Sequence, residues 1–306
     1  MLQDILIDPS VYSRTGSEIP LELIDGFYSY KNSEFKYPVI NGVPILKLPH
    51  DQDIDTSYDD IIPNFGLGDR DTDSILEVNS LSVDDIKNKT VLLAGTGGGG
   101  DIIWLKRLKP KRLICLDYSS GLHIIKDKFD DTTIEYVIGD ICDMPFKSGS
   151  FDTIISQGIM QHTRSPEVAF ASQIRTLKSG GILSIGNLYS QNLHNRKIAS
   201  LRYKLNLHRN PDRKRSMEYI RRSTRLYTML ANTGLYRLHQ RFKFPYVLQY
   251  NNIPGKSFDY YYANALDYYM CLYRYLTTSE EVKFWSERLG VLFNETPKGY
   301  KIIKCP

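Results

Sequence analysis

The sequence lacks paired cysteines and long apolar runs. Its 306 residues contain four widely separated cysteines and no C-x-x-C pair, which argues against a structural zinc site or a disulfide framework. No window approaches the roughly 18 consecutive apolar residues of a membrane-spanning helix. The first residues do not show the basic-then-apolar layout of a secretory signal. The sequence therefore predicts a cytoplasmic protein with no bound metal and no membrane span.

Charge is distributed unevenly along the chain. Residues 194–243 hold fourteen Lys or Arg against two acids, so this segment is +12 in a chain whose formal net charge is +4. A solvated helical face is the ordinary explanation of such a segment. The other explanation is attraction of an anionic partner: a phosphorylated or carboxylated substrate, a nucleic acid or an acidic membrane surface.

From Thr90 onward, short β-branched runs alternate with helix-length amphipathic stretches. The predicted strands are 91–94, 113–116, 134–138, 153–156 and 182–185, and the predicted helices between them are 98–109, 120–129 and 166–178. This alternation is typical of β-α-β units. It predicts an α/β fold with a doubly wound, mostly parallel sheet that is covered on both faces.

The same patterns divide the chain into five parts. Residues 1–50 form a small β-rich N-terminal unit, because Asn41-Gly42 is a two-residue hairpin turn between apolar residues. Residues 51–89 are a linker with helices, and residues 90–190 are the sheet core. Residues 191–276 are a basic and tyrosine-rich helical cap inserted before the end of the core. Residues 277–306 form a C-terminal helix, capped by Ser279, and a last strand.

A glycine-rich turn follows the first strand of the core. The run Gly95-Thr96-Gly97-Gly98-Gly99-Gly100 lets the backbone approach a ligand closely and presents the amides of a helix N-terminus to it. Asp117 ends the second strand, where a carboxylate would accept hydrogen bonds from ribose hydroxyls. These features predict a nucleotide cofactor without naming it. A turn that only packs a helix on a strand is the alternative.

Further motifs follow in a fixed order. They are Gly139-Asp140-Ile141 after the third strand, Met144-Pro145-Phe146 followed by Phe151-Asp152, a loop with His162 after the fourth strand, and Leu177-Lys178-Ser179-Gly180-Gly181 before the fifth. The series resembles the class I, Rossmann-like S-adenosylmethionine-dependent methyltransferases over about ninety residues. The resemblance implies a seven-stranded Rossmann-like sheet and S-adenosylmethionine as the cofactor.

The resemblance also implies roles for individual residues. Gly95 and Gly97 shape the methionyl pocket, Asp117 holds the ribose, Asp140 and Ile141 hold the adenine, Gln157 begins the loop facing the reacting methyl, and Thr96 and Tyr118 complete the cofactor set. His162 is the candidate general base by residue type and place. A histidine that bonds to the backbone and shapes the loop is the alternative.

Two departures from the family pattern stand out. Ala94-Gly95-Thr96-Gly97 stands where the family often has acid-Gly-Cys-Gly, so a carboxylate near the methionyl ammonium is missing, and whether Asp101 replaces it stays open. The N-terminal hairpin resembles a small zinc-ribbon-like domain that accompanies some of these enzymes. No cysteine precedes Cys115, which predicts a degenerate, metal-free version that docks on the sheet domain or covers the substrate.

The acceptor site is expected in the cap. Nine tyrosines lie between Tyr246 and Tyr275, and they either pack a helical lid or form an aromatic wall for a cation or a ring. A loose resemblance to small-molecule methyltransferases from biosynthetic clusters makes Asp259, Arg274 and Tyr275 the candidate substrate-binding residues. Arg274 would clamp an anionic group.

The sequence thus predicts a methyltransferase that acts on a small, anionic metabolite in a biosynthetic pathway. One alternative is an enzyme that transfers or cyclises the aminocarboxypropyl arm of the cofactor and releases methylthioadenosine. The other alternative is an RNA-binding methyltransferase or accessory subunit. Nucleic acid is not the favoured partner, because the basic segment shows no RNA-binding module and few aromatic residues before residue 243.

Overall fold

The computed structural model describes residues 2–31, 33, 35–48, 58–59, 71–129, 131–231, 233 and 256–306. The chain forms two compact units. We call residues 1–54, 67–190 and 275–306 the sheet unit, and residues 55–66 and 191–274 the helical unit. Within the described ranges, every helix is too short or too polar to cross a membrane.

The sheet unit contains a single eleven-stranded sheet in the part of the chain that the structure describes. Its strands are β1 (Glu22–Ile24), β2 (Phe27–Ser29), β3 (Tyr37–Ile40), β4 (Val43–Leu46), β5 (Thr90–Ala94), β6 (Arg112–Asp117), β7 (Ile134–Gly139), β8 (Phe151–Gln157), β9 (Leu177–Gly186), β10 (Leu292–Thr296) and β11 (Gly299–Ile303). Their spatial order is β1-β2-β3-β4-β7-β6-β5-β8-β9-β11-β10.

Strand β5 lies at the centre of the parallel part of the sheet, where the strand order reverses: β6 and β7 follow on one side, and β8 and β9 follow on the other. It pairs in parallel with β6 on one side and with β8 on the other, and β7 and β9 extend the parallel sheet outward. Ligands of open α/β sheets bind outside the carboxyl ends of the strands at such a switch point. The predicted doubly wound, mostly parallel fold is confirmed.

The strand count differs from the seven predicted. Seven strands, β5 to β11, form the expected sheet, and the N-terminal β-rich unit adds four more at its edge, because β4 pairs in parallel with β7 through Ile45 and Ile138. Val43 and Leu46 of β4 are buried, and Leu46 belongs to the same core cluster as Leu92 of β5. The N-terminal strands therefore continue the sheet and contribute to its core.

The described residues contain nine α-helices. They are α1 (Pro9–Thr15), α2 (Thr72–Val78), α3 (Gly100–Arg107), α4 (Leu122–Phe129), α5 (Pro166–Thr176), α6 (Leu193–Leu205), α7 (Arg213–Ala231), α8 (Phe258–Tyr269) and α9 (Ser279–Arg288). Helix α9 begins as predicted, but its cap is Thr278 rather than Ser279. The Thr278 hydroxyl accepts from the Glu281 amide at 3.1 Å, and the Glu281 carboxylate accepts from the Thr278 amide at 2.7 Å. This reciprocal capping box satisfies two amides of the first turn.

The helical unit contains α6, α7 and α8. Helix α7 buries Ile220 and Tyr227, and the Tyr227 ring meets the Tyr261 ring of α8 edge to face, with centroids 4.9 Å apart. Tyr268 and Tyr269 of α8 are also buried. Several of the tyrosines therefore pack between helices. Helix α7 also exposes five basic residues, of which Arg222 pairs with Glu218 at 2.8 Å: Lys214, Arg215, Arg221, Arg222 and Arg225.

Candidate functional site

The glycine-rich turn is held against the neighbouring strand. The Gly95 amide donates to the carbonyl of Leu116 on β6 at 2.8 Å. Gly95 has φ +80°, and a Cβ at this position would lie 2.8 Å from the side chain of Ile159. Glycine is therefore required here both by the backbone conformation and by the close approach. Gly97 also has positive φ, and the space where its Cβ would stand is open to 4 Å, so the turn presents bare backbone to a ligand.

Asp117 ties the turn to the end of β6. One carboxylate oxygen accepts from the Gly97 amide at 2.8 Å, and the other accepts from the Ser119 amide at 2.9 Å. The side chain is buried, and the two amides hold its carboxylate in place. A carboxylate has about four acceptor positions, so Asp117 can bind the turn and ribose hydroxyls together.

Asp140 stands at the carboxyl end of β7 and is held by an arginine. Its Oδ1 accepts from the Cys142 amide at 2.7 Å, and its Oδ2 accepts from Arg164 Nη1 at 2.8 Å. The same guanidinium donates to Asp143. Burial acts to lower the pKa of Arg164, but the hydrogen bond with Asp143 and the charges of Asp140 and Asp143 raise it overall. Arg164 thus joins the predicted adenine edge to the loop after β8.

Three further predicted cofactor residues lie beside these carboxylates. Thr96 is buried in the turn and donates through its hydroxyl to Leu116 O at 3.4 Å. Tyr118 follows Asp117, and Lys47 Nζ lies 4.1 Å from its ring centroid. The side chain of Ile141 is buried in the core cluster. Their contact with a cofactor stays a prediction.

A cavity of about 210 Å³ opens at the carboxyl ends of β8 and β9. It is lined by Ile75, Val78, Asn79, Asp101, Gln157, Asn187 and Lys298. Gln157 ends β8 and donates to the Asn79 carboxamide at 3.2 Å. Its own carboxamide lies across Gly186, where a Cβ would stand only 2.0 Å from Oε1. Glycine at the end of β9 therefore gives Gln157 its position in the cavity wall.

The loop after β8 carries the predicted base. His162 ends a 3₁₀ turn, Met160–His162, and its ring meets the Tyr189 ring edge to face at 5.4 Å. His162 is not one of the residues that line the cavity. Its role as base or as structural histidine stays a prediction.

Tyr275 holds this loop through two hydrogen bonds. Its backbone amide donates to the Gln161 carbonyl at 2.9 Å, and its hydroxyl donates to the Arg164 carbonyl at 3.0 Å. Both acceptors belong to the segment that contains His162. Tyr275 therefore positions the loop, and its predicted contact with substrate stays a prediction.

Asp259 and Arg274 belong to the helical unit. Asp259 is exposed in the first turn of α8. Arg274 donates to Asn195 Oδ1 at 3.3 Å, and its guanidinium carbon lies 5.5 Å from the centroid of the Tyr268 ring. Their role in substrate binding is a prediction that these contacts do not test.

Comparison with known proteins identifies the core. Residues 92–185 match the family model described as a methyltransferase domain. This segment is a class I methyltransferase domain that uses S-adenosylmethionine. The match lies between the two segments of the helical unit and includes neither of them. It covers the strands that carry the glycine turn, Asp117, Asp140 and Gln157.

Curated relatives match about a third of this chain. Erythromycin 3''-O-methyltransferase of Saccharopolyspora erythraea is 29% identical over 104 residues, which are 32% of this chain and 34% of that protein. Fatty-acid O-methyltransferase of Mycolicibacterium smegmatis is 29% identical over 99 residues, which are 32% of this chain and 36% of that protein. The chain thus spans about a third of the length of the curated relatives it matches.

Similarity to solved structures extends further along the chain. One similar structure, from Rhodobacter sphaeroides, is described as a Zn-dependent alcohol dehydrogenase. The aligned region covers 82% of this chain and 99% of that protein, with 13% identity and a TM-score of 0.50. At this identity the likeness shows the fold alone.

The site fits S-adenosylmethionine on the chain's own geometry. The bare turn at Gly97 leaves open space above it, and the carboxylates of Asp117 and Asp140 follow neighbouring parallel strands. Backbone amides and carboxylates at the carboxyl edge of a switch point are suited to a nucleoside with hydroxyl and amino donors.

Sequence reasoning left several cavity residues without a role. Asn79 and Lys298 lie outside the ordered motifs, and Asn187 carried one weak signal, its place directly after the fifth strand of the core. Asn187 has φ +55°, a left-handed conformation that asparagine tolerates better than most residues. Their convergence depends on contacts between distant parts of the chain.

The buried cysteines of the core are not activated nucleophiles. Burial raises the pKa of Cys142 to about 12, and burial also raises the pKa of Cys115. A reactive cysteine needs a lowered pKa, because the thiolate is the nucleophile. These two thiols therefore pack as small apolar side chains.

Proposed function

We propose that the protein transfers the methyl group of S-adenosylmethionine to a small, anionic metabolite in a biosynthetic pathway. The observation that carries this proposal is the open glycine turn together with the carboxylates of Asp117 and Asp140 at the carboxyl ends of neighbouring parallel strands. These residues lie within the segment that matches the methyltransferase domain. A cavity of about 210 Å³ opens at the same edge of the sheet, at the carboxyl ends of β8 and β9.

The chain's residues would act mainly by binding and orienting. S-adenosylmethionine supplies an electrophilic methyl group on a sulfonium. Asp117 and Asp140 would hold the nucleoside, and the turn at Gly95 and Gly97 would hold the methionyl end. Alignment of two reactants can contribute about 7–11 kcal/mol toward lowering a bimolecular barrier. His162 would accept a proton where the acceptor is a hydroxyl or an ammonium group.

The charge of the helical unit supports an anionic acceptor. Helix α7 exposes Lys214, Arg215, Arg221, Arg222 and Arg225. A surface of one sign raises the local concentration of oppositely charged ligands. The names of the two curated relatives specify erythromycin and a fatty acid, which supports a small-molecule acceptor here.

The test is a labelling assay with fractionated metabolites. The purified protein is incubated with methyl-labelled S-adenosylmethionine and metabolite fractions separated by charge, and the products are identified by mass spectrometry. Label in an acidic small molecule together with S-adenosylhomocysteine supports the proposal. Release of methylthioadenosine would instead show that the aminocarboxypropyl arm reacts, and label confined to RNA, with turnover that falls steeply with salt, would favour the RNA alternative.

A further inference from the structure

The glycine turn is preceded by apolar residues only. Leu93 and Ala94 end β5 and are fully buried, so neither position offers a carboxylate to the turn. The methionyl arm of S-adenosylmethionine carries an ammonium and a carboxylate. An isolated charge is costly to bring into a cleft without a partner. A carboxylate partner for the ammonium would therefore have to come from another part of the chain.

The cavity contains one acid and one base. Asp101 lies in the first turn of α3, directly after the glycine turn, and Lys298 lies between β10 and β11. The other polar residues that line the cavity are neutral carboxamides: Asn79, Gln157 and Asn187. The formal charges of the lining side chains therefore cancel, as those of an amino acid do. A cavity lined in this way matches a zwitterion better than a single anion.

The volume of the cavity agrees with a short polar chain. One water molecule takes about 30 Å³ in the liquid, and the cavity measures about 210 Å³. It therefore has room for a group of several non-hydrogen atoms, such as an aminocarboxypropyl arm.

Asp101 is held in one orientation at the cavity wall. Its Oδ1 accepts from Trp104 Nε1 at 2.9 Å, and the packing around the buried indole restricts its movement. A carboxylate accepts up to about four hydrogen bonds, and the bond to Trp104 is compatible with a second donor. An ammonium group is such a donor, and its bonds to an ionised acceptor are about twice as strong as neutral ones.

The backbone of Lys298 is fixed beside the cavity by two hydrogen bonds. Its amide donates to the carbonyl of Val78, at the end of α2, and its carbonyl accepts from the Asn187 amide, each at 3.3 Å. These bonds hold the turn between α2 and the end of β9. The side chain is exposed at the rim, where its flexible stem lets the ammonium group turn toward a bound anion.

We infer that Asp101 and Lys298 bind the ammonium and the carboxylate of the methionyl arm of S-adenosylmethionine, in place of an acid before the glycine turn. This inference rests on the proposed function. The methionyl arm, which is bonded to the same sulfur as the transferred methyl group, would lie in the cavity. Gln157 and Asn187 would donate neutral hydrogen bonds beside it.

The test separates the arm from the nucleoside by ligand truncation. Calorimetry measures the affinities of the wild-type protein, Asp101→Asn and Lys298→Met for S-adenosylhomocysteine and for methylthioadenosine, which lacks the ammonium and the carboxylate. The Asn variant keeps an acceptor for Trp104, so the fold is retained. Matched controls are Asp127→Asn on α4 and Lys283→Met on α9, both at exposed positions.

Asp101→Asn and Lys298→Met are each expected to bind S-adenosylhomocysteine at least about tenfold more weakly than the wild-type protein, because a hydrogen bond to a charged group is lost. The two control variants are expected to bind it as the wild-type protein does. The affinity of Asp101→Asn and of Lys298→Met for methylthioadenosine should stay within about twofold of wild type. Decarboxylated S-adenosylhomocysteine separates the two roles: Lys298→Met should not weaken its binding further, whereas Asp101→Asn should.

Three results would overturn the inference. The first is an Asp101→Asn affinity for S-adenosylhomocysteine equal to that of Asp127→Asn. The second is an equal loss for methylthioadenosine, which would mean that the nucleoside site had been disturbed. The third is a wild-type protein that binds neither ligand, which would remove the proposed function as well.

Discussion

Asp117 joins two parts of the site. Its carboxylate accepts hydrogen bonds from the glycine turn and from the loop that follows β6. Gly97 and Ser119 each donate an amide to it. The side chain therefore shapes the turn as well as presenting acceptors to a ribose. At the scale of single residues, these two roles make Asp117 the most informative position to change.

Asp117→Ala should weaken the binding of S-adenosylhomocysteine by about 10- to 100-fold, because each hydrogen bond to a charged group contributes about 1.5–3 kcal/mol. Calorimetric titration measures this loss. Asp127→Ala, an exposed aspartate on α4, is the control. Unchanged affinity in Asp117→Ala would contradict the cofactor site.

His162→Ala should lower turnover while the affinity for S-adenosylhomocysteine stays within about twofold of wild type. A general base contributes about 10²–10⁴-fold to a rate and makes no contact that holds the cofactor. Steady-state kinetics and calorimetry on the same preparation give both values. Full activity in the Ala variant would make His162 a structural residue of the loop.

At the scale of elements, the loop after β8 is anchored to two other segments of the chain. Arg164 bonds to Asp140 and Asp143 on the segment after β7, and Tyr275 bonds to the backbone of Gln161 and Arg164. Hydrogen bonds of Arg164 thus connect the loop that contains His162 to Asp140, the residue predicted to bind adenine. Long-range bonds of this kind have no signature in a local sequence window.

Arg164→Ala should destabilise the protein by about 1–3 kcal/mol and weaken cofactor binding, because it leaves the buried Asp143 without its cation. Arg164→Lys should recover only part of the loss, since an ammonium cannot bridge both carboxylates as a guanidinium does. Urea unfolding and calorimetry measure the two effects. The exposed pair of Arg288 with Glu167 offers the control Arg288→Ala, which should cost at most about 1 kcal/mol. Equal effects in the two Ala variants would contradict the linkage.

The N-terminal strands can be tested in the same way. Leu46 on β4 is buried in the core cluster, whereas Ile40 on β3 is 47% exposed. Leu46→Ala should lower the free energy of unfolding by about 2–5 kcal/mol, and Ile40→Ala by no more than about 0.5 kcal/mol. A small, equal effect of both substitutions in urea unfolding would mean that these strands do not support the core.

At the scale of the whole molecule, the protein consists of a sheet unit and a helical unit whose net charges differ. The basic segment 194–243 begins within α6 and continues through α7, while the glycine turn, the predicted nucleoside carboxylates and the cavity all belong to the sheet unit. All residues that we propose to bind the cofactor therefore belong to the sheet unit. In our proposal, the helical unit contributes to binding of the acceptor.

Elemental analysis of the purified protein should show no stoichiometric zinc. The N-terminal strands are stabilised by pairing and burial, including that of Val43 and Leu46, and no cysteine precedes Cys115. Zinc ribbons need cysteine thiolates as ligands. One zinc per chain would contradict this interpretation of the N-terminal unit.

The sequence by itself determined the fold class, the five core strands and a nucleotide-type site, and the resemblance of its ordered motifs named the cofactor. These features are local: a strand such as Thr90–Ala94 is a continuous apolar run because both of its faces are buried, and a glycine turn followed by an acid after the next strand is readable within about thirty residues. The division into five segments and the roles of Asp259, Arg274 and Tyr275 stay predictions.

Only the tertiary structure decided which residues meet. Asn79, Gln157, Asn187 and Lys298 come from four separate elements and line one cavity, and β4 extends the sheet only because the edge of β7 accepts it. Local propensity cannot specify such contacts, since they depend on how strands order themselves across the sheet and on which edge remains to be paired. The physical reason is that side-chain convergence is set by packing over long sequence distances, whereas sequence patterns report mainly on neighbours along the chain.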